Sequence, residues 1–78
     1  MLKIKDEVDL KELEKFGLKK KIYSNGSVCY ESIYEMIDID ACSRLIRLYI
    51  EIDYGLNFDY SGVEILFDLI QAGLVEKV

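Results

Sequence analysis

KKIYSNGSVCYE, residues 20–31, sets two strand-like runs on either side of Asn25-Gly26. A two-residue hairpin loop of type I′ needs positive φ at both central positions, and Asn-Gly is the pair that tolerates this best. Such a loop pairs Ser24 with Ser27, Tyr23 with Val28, Lys21 with Tyr30 and Lys20 with Glu31. The centre of the chain is therefore expected to be an antiparallel hairpin.

Working outward, a second turn is expected near Asp38-Ile39-Asp40-Ala41-Cys42, with both aspartates as turn residues that tolerate unusual backbone angles. It leads to a strand from about Ser43 to Ile52, in which Ile46, Leu48, Ile50 and Ile52 alternate with Arg47, Tyr49 and Glu51. This period of two is the clearest strand pattern in the chain. Burial sets the register, because a one-residue slip would carry the whole apolar set to solvent. Tyr34 opposite Ile46 brings Tyr30 to Ile50 and Val28 to Ile52. The core face then holds Tyr23, Val28, Tyr30, Tyr34, Met36, Ile46, Leu48, Ile50 and Ile52. The other face is mixed, with Ile22, Cys29, Ile33, Ile37, Leu45 and Tyr49 among Lys20, Glu31, Glu35, Arg47 and Glu51.

Helices flank this meander. Asp9 with Glu12 forms a capping box, Val8 and Leu13 a hydrophobic staple, and Gly17 a C-terminal cap, which predicts a helix over residues 10–16 with Leu10, Leu13 and Phe16 inward. Ser61 with Glu64 and then Gly73 bracket a second helix. Its stripe Val63, Leu66, Phe67 and Ile70 faces the sheet, leaving Glu64, Asp68 and Gln71 outside. Leu74–Val78 either adds a short strand or packs Leu74 back on the helix. The expected class is α+β: a three- or four-stranded antiparallel meander sheet packed on one face by two helices, as a single domain over residues 1–78.

Composition agrees. Half of the 78 residues are apolar and 32% are charged, a globular balance near the lower size limit for an unaided core. Proline is absent, and neither a linker nor an internal repeat divides the chain. No apolar run reaches bilayer length, and Leu2 and Ile4 alternating with Lys3 and Lys5 read as a strand and not as an export signal. Two cysteines, Cys29 and Cys42, read as reduced thiols. Cytoplasmic location, with no membrane contact, is the expectation.

Charge is uneven along the chain. Residues 1–21 carry seven lysines against five acids, whereas Leu48 to Glu76 holds six acids and no base. The overall charge of −5 argues against direct nucleic-acid binding, which draws on Lys and Arg to neutralise phosphates. The lysines at 19–21 read as protection of a sheet edge against edge-to-edge pairing.

Catalytic chemistry is sparse. Histidine is absent, which removes the commonest general base and a common metal ligand. No phosphate-cradling glycine loop occurs. Asp53 to Glu64 has carboxylate or polar residues at several calcium-loop positions, but Phe58 stands where that loop needs glycine, and Gly55 offers no ligand at another. No enzyme, metal or cofactor is expected.

Two surfaces remain as candidates for binding. Tyr54, Phe58 and Tyr60 interleave with Asp53 and Asp59, and the same acidic stretch includes Glu51, Glu64 and Asp68. Rings beside carboxylates suit a basic protein partner, since aromatics supply contact area and acids steer encounter. Alternatively, Leu56, Phe58 and Tyr60 turn inward and the acids are merely solvated. The second surface is the mixed sheet face, where Ile33, Leu45, Arg47 and Tyr49 are candidates for self-association into a homodimer. Cover by the first helix or the N-terminal strand is the alternative there.

VDLKELEKFGLKK (residues 8–20) and FDLIQAGLVEKV (residues 67–78) resemble small uncharacterised proteins encoded by phages and prophages of AT-rich Gram-positive bacteria. The likeness covers about a third of the chain and lies in Lys/Glu/Ile-rich composition with helix-plus-glycine endings. It implies a setting in which small acidic proteins act by occupying a host protein, as anti-CRISPR-like inhibitors do. The expected function is thus a non-enzymatic protein-binding module, a counter-defence or host-takeover inhibitor meeting a basic host surface. The alternative is a virion or assembly component that oligomerises through the mixed sheet face.

Overall fold

A three-residue loop, not a two-residue one, closes the central hairpin. In the computed structural model, which describes residues 1–49, 51–52, 58–59 and 61–78 (the backbone alone for 51, 52, 58 and 59), Gly26 N donates to Tyr23 O and Tyr23 N to Ser27 O, both at 2.9 Å. Gly26 takes φ +88° while Asn25 stays out of the left-handed region, which is a type I turn followed by a left-handed glycine. Asn25 acts through its side chain, whose Oδ1 accepts from Ser27 N at 2.9 Å and Ser27 Oγ at 2.7 Å. The extra loop residue slips the expected pairing by one. Lys19 now faces Glu31, Lys20 faces Tyr30, Lys21 faces Cys29 and Ile22 faces Val28.

In chain order the elements are β1 (Leu2–Ile4), a 3-10 helix (Leu10–Phe16), β2 (Lys19–Ile22), β3 (Val28–Glu31) and a 3-10 turn (Ile33–Glu35). They continue with β4 (Ile37–Asp40), β5 (Ile46–Leu48), β6 (Glu51–Ile52), β7 (Phe58–Asp59), α1 (Ser61–Gln71) and β8 (Val75–Lys77). The class is α+β with antiparallel pairing throughout. β2-β3-β4-β5 form a four-stranded meander, β1 pairs with β8, and β6 pairs with β7. A Lys3–Leu45 bridge, with Ile4 N donating to Arg44 O at 2.9 Å, joins β1 to the edge beside β5. The C-terminal segment is therefore a strand, completing the alternative that the sequence left open.

Ile37-Asp38-Ile39-Asp40 is the main correction to the topology. It forms β4, between β3 and β5, and the turn begins only at Ala41. Tyr30 consequently faces Ile39, and Ile39 faces Ile46, in place of the expected Tyr30–Ile50 and Tyr34–Ile46 pairs. Asp38 is a buried strand residue, while Asp40 keeps a turn role: its Oδ2 accepts from Ser43 N at 2.6 Å and Cys42 N at 3.0 Å. These bonds, that from Ser43 foremost, hold the Asp40 carboxyl below its ordinary range. The single strand expected over 43–52 is split, since β5 ends at Leu48 and β6 belongs to another sheet.

The core follows from this register. Ile4, Leu13, Leu18, Tyr30, Ile37, Ile39 and Leu69 are buried together, with Leu10, Phe16, Ile46, Ile65, Leu66 and Leu74 packed around them. Burying each large aliphatic chain contributes about 1.5–3 kcal/mol before entropy is counted. Ile37, by expectation on the mixed face, is fully buried, whereas Tyr23 and Tyr34, by expectation core, are exposed. The N-terminal helix spans the expected residues but winds as a 3-10 helix. Asp9 caps it by accepting from Lys11 N, and Glu12 turns to Lys15 at 2.8 Å in place of closing a capping box.

α1 is rotated from its expected phase. Gly62, Ile65, Leu66 and Leu69 face inward, and Phe67 and Ile70 are exposed. The cause is Gly62, which lies so close to Met36, just before β4, and to Leu48 of β5 that a Cβ there would stand 2.6 Å from Met36 O and 3.1 Å from Leu48 Cδ1. Only glycine permits that approach. No helix among the described residues is long and apolar enough to cross a membrane.

Candidate functional site

The slipped hairpin places Tyr23 on the same sheet face as Cys29 and Glu31. Along that face Lys19, Glu31, Asp38 and Arg47 stand in one row across β2, β3, β4 and β5. Two carboxylates, Glu31 and Asp38, are thus direct cross-strand neighbours, and both are buried. Like charges so placed repel, and the flanking strands compensate. Arg47 Nε donates to Asp38 Oδ1 at 2.7 Å, and Lys21 Nζ approaches Glu31 Oε1 at 3.3 Å. Glu31 Oε2 also accepts from the Tyr23 hydroxyl at 2.9 Å, with the Cys29 thiol 3.8 Å away.

These contacts favour the protonated form of each group that donates to the carboxylates. Its hydrogen bond to Glu31 raises the Tyr23 phenol above its ordinary pKa, with Cys29 and burial adding to the effect. Burial raises the Cys29 thiol. The bond to Glu31 strengthens the charge on Lys21, and the bond to Asp38 does the same for Arg47. A thiol and a phenol that keep their protons are poor nucleophiles and poor bases. Among the described residues no cluster of three or more Cys, Asp or Glu side chains could hold a metal ion.

Over this row lies an open hollow of about 550 Å³. Tyr23, Tyr34 and Tyr49 supply its rings, Glu31 and Asp38 its buried carboxylates, and Glu35, Met36 and Arg47 the remaining wall. Lys21 reaches in from β2, with Nζ 5.1 Å from the centre of the Tyr23 ring and 3.6 Å from Glu35. The lip is the loop between β3 and β4. Its ends are tied by Ser32, whose N donates to Ile37 O at 3.0 Å and whose Oγ accepts from Ile37 N at 3.2 Å. Inside it Tyr34 and Glu35 both adopt left-handed backbone, φ 67° and 58°. Two successive non-glycine residues in that region cost about 1–2 kcal/mol each. The Tyr34 ring they carry is 80% exposed.

Of the expected self-association residues, Arg47 and Tyr49 line the hollow. Ile33 is exposed beside it, and Leu45 is half-buried at the bridge to Lys3. Of the expected partner-binding residues, Glu64 and Asp68 are exposed on the outer side of α1. Glu51, Phe58 and Asp59 lie on the paired backbones of β6 and β7, and Asp53, Tyr54 and Tyr60 fall outside the described residues. Glu31 and Glu35 stand on the mixed face as expected, whereas Tyr23, Tyr34 and Asp38 belong to neither expected surface. The alternation IDID over residues 37–40 was the signal that could have moved Asp38 into a strand and onto this face.

Comparison with known proteins found no matching family model, no matching curated protein and no matching solved structure.

Proposed function

We propose that this chain is a non-enzymatic protein-binding module whose partner seats on the tyrosine-lined hollow. In this reading the two helices close the sheet face that carries Ile37 and Ile39, and the opposite face is left to the partner. One observation carries the reading: a strained loop holds an exposed Tyr34 over a row of ion-paired, partly buried charges. Tyrosines give large contact area at low entropic cost, and ordered charges select among partners. Strain that persists away from the core is commonly retained for function. The phage and prophage resemblance supports a host protein as the partner, and the chain's charge of −5 supports a basic surface on it. Counter-defence or host-takeover inhibition is the role proposed.

The test is capture of a partner from a Gram-positive host lysate by the tagged chain, repeated with Tyr34→Ala and with Glu64→Ala/Asp68→Ala. Loss of one discrete partner with the first variant and its retention with the second is the expected result. The reverse pattern moves the site to α1.

Self-association is the second reading, favoured by Ile22 and Ile33, which are 67% and 65% exposed. Sedimentation separates the two: discrete oligomers without a host partner support an assembly component.

A further inference from the structure

We propose that the hollow receives one cationic side chain from its partner and that this group is an arginine guanidinium. The inference rests on the binding reading above and names what the site recognises. Charge complementarity sets the sign of the occupant. The lining holds three carboxylates, Glu31, Glu35 and Asp38, against one cation, Arg47, and Lys21 pairs with Glu31 and Glu35 from beside it, which leaves the group one positive charge short of neutral. An anion would meet this local excess and the net charge of −5 behind it.

The chain itself demonstrates how a cation fits. Lys21 sits over the Tyr23 ring at 5.1 Å while touching Glu31 and Glu35, a ring-and-carboxylate seat. The far side of the hollow offers the same elements again. The Asp38 side chain is only 10% exposed, and Arg47 occupies its Oδ1. Among the described residues, Asp38 Oδ2 accepts no hydrogen bond. Tyr34 and Tyr49, 80% and 47% exposed, line the same hollow.

Guanidinium suits this seat better than ammonium. It is planar, stacks on tyrosine faces, and sheds water more readily than lysine. Its fork of N–H donors can meet Asp38 Oδ2, while the carboxylate of Glu35 on the same hollow adds attraction. The occupant is thus a single arginine of the partner, flanked by the rings, and not a nucleic acid or a lipid.

The experiment is a titration of the full chain, followed by NMR of the tyrosine rings, with the blocked tripeptide acetyl-Gly-Arg-Gly-amide. Lysine, citrulline and glutamate replace arginine in three control peptides. Saturable shifts at Tyr23, Tyr34 and Tyr49 are expected with arginine, about tenfold weaker with uncharged citrulline, and several-fold weaker with lysine. Glu35→Gln, an exposed change that leaves the fold alone, is expected to weaken the arginine peptide about fivefold, and Asp38→Asn at least as much. Equal shifts with citrulline or lysine, or tighter binding of the glutamate peptide, overturn the inference. A silent arginine peptide, with Tyr34→Ala still abolishing partner capture, overturns it too and leaves the binding module standing. Retained capture with Tyr34→Ala instead removes the hollow as the partner's seat, and the inference with it.

Discussion

Glu31 and Asp38 face one another across β3 and β4, both buried, and each is met from the next strand outward by a cation, Lys21 or Arg47. The pair does not stabilise the sheet by attraction within itself. What holds is the cation on either side of the pair, Lys21 at Glu31 and Arg47 at Asp38, so removing either one exposes the repulsion between the carboxylates.

Arg47→Ala should therefore cost about 1–2 kcal/mol, discounted from a fully buried pair because the arginine is half in solvent. In an Asp38→Asn background the same change should cost less than half as much. Urea denaturation of the four proteins of this cycle measures the coupling, and additive losses would show that the two residues act independently.

Tyr34→Gly places glycine where the backbone is already left-handed at φ 67°. Relief of that strain should raise stability by about 1 kcal/mol. Partner capture should fall in the same protein, because the exposed ring is lost. Thermal melting beside the capture assay reads both, and a variant that is less stable would contradict the strain assigned to this loop.

The phase of α1 is open to a direct check. Leu69 is fully buried, so Leu69→Ala should cost about 2–5 kcal/mol. Phe67 and Ile70 are exposed, and Phe67→Ser should stay within about 0.5 kcal/mol. Gly62→Ala forces a Cβ against Met36 O and should cost about 1–3 kcal/mol. A large loss at Phe67 with little at Leu69 would restore the phase expected from the sequence.

Stability should fall at both ends of the pH scale for separate reasons. Asp40 has a depressed folded-state pKa, so its contribution is complete above the unfolded value near ~4 and is lost as pH falls through the folded value. The amides of Cys42 and Ser43 should lose protection first in amide exchange. Tyr23 and Lys21 have raised values, so their contribution is complete below the unfolded values near ~10 and is lost as pH rises through the folded ones. Tyr23→Phe should flatten the alkaline slope of the urea midpoint, and an unchanged slope would show that the Glu31 bond plays no part.

Much of the architecture was legible in local signals. Asp9 and Gly17 bracket the first helix where they were expected to, Asn25-Gly26 turns the central hairpin, and α1 begins at Ser61. The candidate site was legible only in part. Arg47 and Tyr49 were singled out for the face they share, but Tyr23 and Tyr34 had been assigned to the core. One extra loop residue, Ser24, reverses every side chain of β2, and no count of apolar residues detects it when Ile22 and Tyr23 are both hydrophobic. IDID over residues 37–40 carries two opposed signals, since aspartate is common in turns while the isoleucines alternate as a half-buried strand requires.

By itself, then, the sequence determined the α+β class, the bounds of the first helix, the turn at Asn25-Gly26 and the acidic balance, because these depend on backbone preference and composition. Tertiary structure alone decided that Tyr23 joins Glu31, that Asp38 lies opposite it, and that Gly62 draws α1 onto Met36. Each of these depends on a one-residue choice of register or on about 100° of helix rotation. Local propensity is indifferent to such choices, and only packing among distant segments resolves them.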